Sequence, residues 1–339
     1  MKRVSVVLMN LGGPSDLLSV RPFLFNLFYD KSILNLPNPF RWASAHIISR
    51  LREKKAKEIY KKMGGKSPIL DETKKQASKL QEFLNHHKEA LFRVSISMRY
   101  SNPFSSQTIK DVMEFNPTDI VLLPLYPQFS TTTTDSSLKD FKSILKQYSW
   151  AGTLHTIPCF FQREGFLSVM EREICLQYKA AQSYGTPTIL WTAHGLPEKI
   201  ILKGDPYQKQ VENTVSLLEK RLEGRGDFRS IICYQSRVGP LKWIGPHTID
   251  EVEKAGKNKT PLIVVPISFV SEHAETLVEL DIEYKNIAIE KGVPFYGRAS
   301  TVRAHPDFIH DLCNLILSTV NHSQLCLFKD DALCCLNWG

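Results

Sequence analysis

The stretch PTILWTAHGLPEKIILKGDPY, residues 187–207, contains the pattern that decides the fold. It opens with a short continuous run of apolar and β-branched residues, which is typical of a strand buried on both faces. A turn follows, and then Asp205 and Pro206 supply a helix N-cap and a first helical residue. The stretch therefore predicts a strand, a loop and a helix in succession, with His194 at the end of the strand.

The same kind of apolar run recurs along the chain. The predicted strands are residues 4–11, 93–100, 119–127, 187–195, 229–236 and 261–269. Amphipathic helices between them begin at Asp71, Asp135 and Asp205. Strands that alternate with helices predict a parallel α/β architecture. Because the runs form one group before residue 130 and another after 185, we expect two Rossmann-like, doubly wound lobes with a cleft between them.

The length of 339 residues also favours two domains. We assign residues 1–150 and 305–325 to the first lobe and residues 151–304 to the second, and treat residues 326–339 as a C-terminal tail. In doubly wound folds, ligands bind beyond the carboxyl ends of the strands. The loops that follow the predicted strands should therefore converge on the cleft.

Composition fits a soluble globular protein, with 42% hydrophobic and 23% charged residues. The net charge of +8 suits an acidic small molecule, an anionic membrane surface or nucleic acid, although scattered Lys and Arg also form ordinary solvated faces. No window resembles a membrane-spanning helix. Seven cysteines without a secretory signal predict reduced thiols in a cytoplasm. Residues 21–28, RPFLFNLF, predict a buried helix, a pocket lip or a segment that dips into a bilayer surface.

Several motif classes are excluded. MGGKSP, residues 63–68, lacks the first glycine of a phosphate-binding P-loop, because Tyr60 occupies that position. No G-x-G-x-x-G opens a helix, and H-E-x-x-H, paired C-x-x-C and G-x-S-x-G motifs are missing from the sequence. These observations disfavour nucleotide binding, zinc hydrolysis and serine esterase chemistry.

Acidic residues and a histidine follow the last predicted strand. In SEHAETLVELDIEY, residues 271–284, a helix starting near Ser271 would place Glu272, Glu275 and Glu279 on one face, with His273 to one side. Crowded carboxylates raise one another's pKa and attract protons or cations. Acidic residues are also common in a first helical turn for purely structural reasons. Together with His194, they form the candidate reactive group of the cleft.

With these stretches assembled, the chain resembles the ferrochelatase family. The resemblance rests on LMNLGGPSDLLSVRPFLFNLFYD, YKKMGGKSPI, MRYSNP, LPLYPQFSTTTTDSS, TAHGLPEK, GDPYQKQVE, YQSRVGPLKWIGP and VVPISFVSEHAETLVELDIEY, and it extends to about residue 305. It implies two Rossmann-like lobes of the chelatase type. The implied reaction is insertion of Fe²⁺ into protoporphyrin IX with release of two protons, the last step of haem synthesis.

The resemblance also implies roles for individual residues. His194 and Glu275 match the catalytic pair, and His194, Glu272, His273, Glu275 and Glu279 are the candidates for handling the metal. The residues implied to contact the porphyrin are Leu11, Tyr60, Ser67, Arg99, Trp243 and Phe269. Because position 11 is not tyrosine, the chain is more similar to the branch that uses protoporphyrin than to the branch that uses coproporphyrin.

Some family members hold a [2Fe-2S] cluster with C-terminal cysteines. Here Cys326, Cys334 and Cys335 lie in the tail, and Cys159 lies near the position of a fourth ligand in some bacterial relatives. Adjacent Cys334 and Cys335 are poor neighbours for one cluster, and Thr131 occupies the extra cysteine position of the animal enzymes. A cluster is therefore not favoured.

Two alternatives remain open at this point. One is a chelatase of related fold that inserts another metal such as cobalt, because imidazole and carboxylate ligands serve several cations. The other is a carrier that binds porphyrin or haem in the same apolar cleft without turnover. The expected partners are protoporphyrin IX and ferrous iron, with peripheral contact at the inner membrane. We expect a monomer that does not bind nucleic acid.

Overall fold

The computed structural model describes residues 1–322 except Val238 and Pro240. In this part of the chain, eight strands form two parallel sheets of four strands each. The strands of the first sheet are β1 (Lys2–Asn10), β2 (Ala90–Met98), β3 (Asp119–Pro124) and β4 (Thr153–Thr156). Those of the second sheet are β5 (Thr188–His194), β6 (Arg229–Gln235), β7 (Leu262–Pro266) and β8 (Tyr296–Arg298). The predicted α/β class with two doubly wound lobes is confirmed.

Helices cover the faces of both sheets. Their bounds are α1 (Val20–Tyr29), α2 (Phe40–Lys61), α3 (Ile69–Leu84), α4 (Ser105–Glu114), α5 (Thr134–Leu145), α6 (Glu164–Ala181), α7 (Glu198–Leu202), α8 (Tyr207–Leu222), α9 (Thr248–Lys257), α10 (Lys285–Glu290) and α11 (Pro306–His322). A 3₁₀ segment, Gln182–Tyr184, follows α6, and a π-helix, Glu275–Tyr284, precedes α10. None of the helices in the described residues combines the length and the hydropathy needed to cross a bilayer.

The two sheets have the same strand order, β2-β1-β3-β4 and β6-β5-β7-β8. Strand β5 is therefore the counterpart of β1, and each is flanked by strands on both sides. Residues 188–193 of β5 are all buried, as predicted for a strand covered on both faces. At its carboxyl end His194 is paired in register with Gln235, the last residue of β6.

Strands β4 and β8 were not predicted, because they are only four and three residues long and lie at the sheet edges. Since β4 pairs with β3, the first sheet extends to Thr156, past the expected boundary at residue 150. The helix expected after residue 305 is α11, which packs against α3 of the first lobe and α6 of the second. It therefore joins the two lobes.

A polar contact also joins the lobes beside the opening stretch. The Asp205 carboxylate accepts hydrogen bonds from the Thr131 amide at 2.7 Å and hydroxyl at 2.6 Å, which come from the loop after β3. Its other oxygen accepts the Tyr207 amide at 3.0 Å, at the start of α8. The helix begins at Tyr207 with Pro206 as its N-cap, one residue later than predicted, and Asp205 binds the first helical amide from the position before the cap. Asp205 also anchors a loop of the opposite lobe.

Candidate functional site

His194 and Glu275 form a close pair where the two lobes meet. The imidazole Nδ1 lies 2.8 Å from a carboxylate oxygen of Glu275, although the residues are 81 positions apart. His194 is the last residue of strand β5, and Glu275 is the first residue of the π-helix. The His194 side chain remains 38% exposed and that of Glu275 26% exposed. The pair is therefore accessible to a ligand.

The electrostatics of this pair favour a charged glutamate. Burial opposes ionisation of Glu275, but the charge and hydrogen bond of His194, with a contribution from His273, lower the pKa of the carboxyl to about 2. Burial lowers the pKa of the His194 imidazole, yet the charges of Glu275 and Glu279 outweigh it and raise that pKa above its usual value. At neutral pH Glu275 is thus an acceptor only.

Aromatic and apolar groups surround the pair. The Phe269 ring lies edge-on to the His273 imidazole, with centroids 4.5 Å apart. Nε2 of His273 is 3.8 Å from the Glu275 carboxylate, and burial lowers the pKa of this second imidazole. Trp243 packs on the residue after His194: a Cβ added to Gly195 would lie 3.2 Å from its indole. The structure thus brings Trp243, Phe269 and His273 together around the predicted pair.

Glu279 is held by four hydrogen bonds. One oxygen accepts the Ser236 amide at 3.0 Å and the Tyr284 hydroxyl at 2.7 Å, and the other accepts the Gln235 amide group at 3.1 Å and the Ser236 hydroxyl at 2.6 Å. Ser236 adopts a left-handed φ of 66°, which is uncommon for a residue with a side chain. Glu279 is therefore a fixed negative charge near His194.

Glu272 does not share a face with the other two glutamates. The π-helix begins at Glu275, four residues later than the expected start at Ser271, so Glu272 lies before it. Its carboxylate accepts hydrogen bonds from Arg298 at 3.1 Å and from the Thr301 amide at 3.0 Å. Burial would raise the pKa of Glu272, but the Arg298 charge outweighs that and lowers it. The physical reason for the difference is an ion pair that turns Glu272 into the second lobe.

The first lobe contributes Leu11 and Tyr60 to an apolar cluster that extends to the second lobe. Partly buried Leu11 packs against a core that contains Tyr60, and Ala274, the neighbour of Glu275, packs against the same core. Burial and the charge of Glu275 raise the pKa of the Tyr60 phenol. Tyr60, at the end of α2, therefore lies close enough to Glu275 of the opposite lobe for the carboxylate charge to affect its pKa.

Arg99 follows strand β2, as predicted, but its charge is already engaged. Its guanidinium contacts Asp30 at 2.8 Å and Asp140 at 3.3 Å, and its Nε donates to the Ser136 hydroxyl at 2.9 Å. Burial would raise the pKa of Asp30, but Arg99 and the Ser136 hydrogen bond lower it. Only 21% of the Arg99 side chain is exposed. These contacts hold Arg99 in the wall of the first lobe, and its predicted contact with the porphyrin stays a prediction.

Ser67 lies at the start of α3 against the loop after β1. Its amide donates to the Pro14 carbonyl at 2.8 Å, and the side chain is buried. A Cβ added to Gly13 would lie 2.5 Å from the Ser67 Cβ, so only glycine permits this approach. The predicted contact of Ser67 with a macrocycle stays a prediction.

The candidate metal ligands lie within the described residues, whereas three of the four candidate cluster cysteines do not. Within the described residues, no group of three or more His, Cys, Asp or Glu side chains is arranged to hold a metal ion. The candidate [2Fe-2S] ligands Cys326, Cys334 and Cys335 lie outside the described residues. Thr131, at the extra cysteine position, hydrogen-bonds to Asp205.

Sequence reasoning did not select Ser268, Gln235 and Ser236 as site residues. The Ser268 hydroxyl accepts the His194 amide at 3.2 Å, and Gln235 and Ser236 hold Glu279. All three lie at or just beyond the carboxyl end of β6 or β7. That position is the signal that could have identified them.

Comparison with known proteins identifies close relatives. The family model described as ferrochelatase matches residues 3–320. A ferrochelatase of Rickettsia felis is 49% identical over 94% of this chain and 91% of its own length. A ferrochelatase of a Wolbachia strain from Drosophila simulans is 46% identical over 93% of this chain and 98% of its own.

Solved structures with the same fold are much more distant in sequence. SirB from Bacillus subtilis with Fe³⁺ superposes with a TM-score of 0.58 at 11% identity, over 95% of this chain and 97% of that chain. A sirohydrochlorin chelatase, SirB from Bacillus subtilis subspecies spizizenii in complex with cobalt, gives a TM-score of 0.53 at 9% identity, over 95% and 98%. At these identities the similarity is one of fold.

Proposed function

The chain belongs to the ferrochelatase family and inserts iron into a porphyrin in haem synthesis, and we propose that it inserts Fe²⁺ into protoporphyrin IX, with His194 as the proton acceptor. The observation that carries the assignment of His194 is its 2.8 Å contact with Glu275 at the carboxyl end of β5. The family relationship favours iron over the alternative of another metal.

The contact with Glu275 sets the tautomer of His194. An ionised carboxylate only accepts, so Nδ1 of the neutral imidazole carries the hydrogen and donates it to Glu275. The lone pair is then on Nε2, the nitrogen available to a substrate. Metal insertion requires loss of two pyrrole protons, and Nε2 is the base that accepts the first of them. Glu275 stabilises the imidazolium that results.

Glu275 and Glu279 then act mainly through charge. Glu275 is close to both His194 and His273, so it can pass a proton onward or replace a water of hydrated iron. Glu279 is saturated by hydrogen bonds, which suits a stationary charge that favours protonated His194. Glu272, paired with Arg298, supports the start of the π-helix. Of the three carboxylates, Glu275 is 26% exposed and Glu272 only 11%, which favours Glu275 as the one that meets the substrate.

The apolar residues form the walls that hold and bend the ring. Leu11 belongs to the first-lobe wall, and Trp243 and Phe269 pack beside the His194–Glu275 pair in the second. Distorting a planar macrocycle exposes its nitrogen lone pairs and costs about 1 to 5 kcal/mol, which binding energy can offset. Tyr60 and Ser67 supply polar contacts at the edge, and Arg99 holds its wall in shape.

The substrate assignment is tested by anaerobic insertion of Fe²⁺ into protoporphyrin IX and coproporphyrin, followed by absorbance. We expect kcat/KM to be higher for protoporphyrin, because the wall at position 11 is apolar. A higher value for coproporphyrin would reject the assignment. Parallel assays with Co²⁺ and Zn²⁺ test metal choice, and porphyrin binding without turnover would point to a carrier.

We also propose that the protein works on the cytoplasmic side of a membrane, which it contacts through the lip formed by α1, α2 and the loops beside them. Half of the exposed large hydrophobic residues of the described chain cluster in this lip: Leu18, Ile33, Leu36, Phe40, Trp42, Ile47 and Leu51. Exposed apolar side chains in one patch are typical of a membrane or partner surface. Exposed Arg50, Lys54 and Lys55 on the same helix favour anionic lipid.

Sedimentation with vesicles of phosphatidylcholine alone or mixed with phosphatidylglycerol tests this contact. We expect binding to the anionic vesicles, and the double substitution Trp42→Ser, Leu51→Ser should weaken it by about ten-fold or more. Leu202→Ser is the matched control, because Leu202 is 84% exposed but lies on α7. Equal vesicle binding by wild type and the double variant would exclude the lip as the contact surface.

A further inference from the structure

A buried glutamine on α3 joins the two walls of the cleft. Gln76 is fully buried, and its amide nitrogen donates to the Val270 carbonyl at 3.1 Å and to the Arg303 carbonyl at 3.0 Å. Its amide oxygen accepts the Ser271 hydroxyl at 3.3 Å. Every partner belongs to the second lobe, whereas α3 belongs to the first. A buried carboxamide without these partners would be costly, so they fix its position.

The second-lobe partners lead directly to the reactive pair. Val270 and Ser271 belong to the segment between β7 and the π-helix, residues 267–274. In this segment, Ser268 accepts the His194 amide and His273 contacts Glu275. The next residue after the segment is Glu275 itself. Moving residues 270–271 would therefore move both partners of His194.

The first-lobe side of the connection leads to Leu11. The Asn10 side-chain amide donates to the Thr73 hydroxyl at 3.1 Å, which ties the end of β1 to α3. Thr73 and Gln76 are three residues apart on this helix and so lie on the same side of it. A helix is stiff over one turn, so the distance from Leu11 to the Gln76 carboxamide is nearly fixed.

A second polar contact supports the same placement. Glu72 of α3 is paired with Arg303 through two hydrogen bonds of 2.7 and 2.9 Å, and the Arg303 amide donates to the same Val270 carbonyl at 2.9 Å. The Val270 carbonyl thus has two donors, one from each lobe. Arg303 has a left-handed φ of 49°, a conformation that this network stabilises.

We propose that Gln76 is a positioning residue that sets the separation between the Leu11 wall and the His194–Glu275 pair, and so the register of the porphyrin nitrogens against the base. The proposal rests on the function proposed above for that pair. Gln76 touches neither porphyrin nor iron. Its effect is on geometry, and misplacing a reacting group by about 1 Å costs on the order of 100-fold in rate.

Gln76→Met, which keeps the volume and removes the hydrogen bonds, is the test. We expect kcat for Fe²⁺ insertion to fall about ten-fold or more, while the porphyrin KM and the fluorescence-derived Kd change less than about two-fold. The apolar walls still bind the ring, but the base is displaced.

The matched control is Gln81→Met on the same helix. Gln81 also makes three hydrogen bonds, but its partners Asn85, Phe92 and Val94 belong to its own lobe. The kcat of Gln81→Met should therefore stay within about two-fold of wild type.

Ser271→Ala provides a milder variant if Gln76→Met folds poorly. It removes one hydrogen bond, so kcat should fall about two- to five-fold, and the combined variant should lose less than the product of the two separate losses. Unchanged kcat in both variants, an equal loss in Gln81→Met, or a change confined to KM would overturn the proposal. A failure of the proposed function is distinguishable, because His194→Ala would then retain wild-type turnover.

Discussion

The ends of β1 and β5 are topological counterparts with opposite chemistry. Both strands have neighbours on each side in sheets of identical order, and both end where the lobes meet. After β1 the chain places Leu11 in an apolar cluster, and the buried Asn10 side chain donates a hydrogen bond to Thr73. At the end of β5 it places His194, with Glu275 beside it and part of the ring exposed. In the proposed mechanism, the first position shapes the ligand and the second reacts with it.

The charged groups of the two lobes differ in the same way. Arg99 beyond β2 is paired with two aspartates, so its removal should mainly affect folding. His194 has a charged partner, Glu275, on Nδ1, and in the proposed mechanism its Nε2 is the nitrogen that accepts the proton. Four predictions test this contrast, starting with the largest effect.

His194→Ala should reduce kcat for Fe²⁺ insertion by about 100- to 10,000-fold, because removal of a general base has effects of this size. Porphyrin Kd should change little, since the apolar walls remain. Stopped-flow or anaerobic steady-state absorbance gives kcat, and fluorescence quenching gives Kd. His305→Ala is the control and should stay near wild type, because His305 contacts Arg172 and not Glu275. If both variants retain activity, His194 is not the proton acceptor.

Arg99→Met should lower the free energy of unfolding by about 3 to 5 kcal/mol, because it leaves the buried Asp30 carboxylate without its cation. Denaturant unfolding measures the loss. At a temperature where the variant is folded, kcat should remain within a few-fold of wild type. Asp30→Asn in the same chain should recover part of the stability. Lys79→Met, which breaks an exposed pair with Glu82, should cost less than about 1 kcal/mol. A large kcat loss in folded Arg99→Met would instead indicate direct contact with substrate.

Glu275→Gln should lower kcat by about ten-fold or more and change its pH dependence. If neutral His194 is the base, as proposed, the rate rises with pH as the imidazole loses its proton. The Glu275 charge raises that pKa, and its removal should shift the rising limb to lower pH. A pH–kcat profile measures the shift, and a limb that moves to higher pH would contradict the assignment.

The same carboxylate makes acid stability a companion measurement. The pKa of Glu275 is lowered from 4.5 to about 2 in the folded protein, so its contribution to stability is present above pH 4.5 and lost as pH falls towards 2. Glu275→Gln should therefore show a weaker dependence of unfolding on pH in that window. An identical dependence in both proteins would mean that the pair does not contribute.

Leu11→Tyr should have the smallest effect, a few-fold fall in the kcat/KM ratio of protoporphyrin to coproporphyrin. The phenol hydroxyl can donate to an additional propionate, which only coproporphyrin supplies. Leu11→Met keeps the wall apolar and should leave the ratio unchanged. A ratio that is the same in all three proteins would show that the β1 end does not choose the porphyrin.

The sequence was sufficient for the strands that carry the site, because central parallel strands are continuous apolar runs. Strand β8 has only three residues and no such run, so it was missed. Its last residue, Arg298, pairs with Glu272, 26 positions earlier. Without β8, nothing in the sequence indicated that Glu272 would face inward, and it was grouped with Glu275 and Glu279. The pairing of Arg99 with Asp30, 69 positions away, was not indicated by the sequence either. Partners distant in sequence are fixed only by tertiary packing.

The π-helix fixes how many residues can separate Glu275 from Glu279. Its wide turns bring Glu275 to His194 and Glu279 to Ser236 at the same time. Deleting one residue between them would rotate all later side chains around the axis, by somewhat less than the about 100° per residue of an α-helix because the i→i+5 turns are wider. The glutamate now at position 279 would then lose its hydrogen bonds to Gln235 and Ser236, even though the residue itself is unchanged. This segment should tolerate many substitutions on its outer side but no change of length.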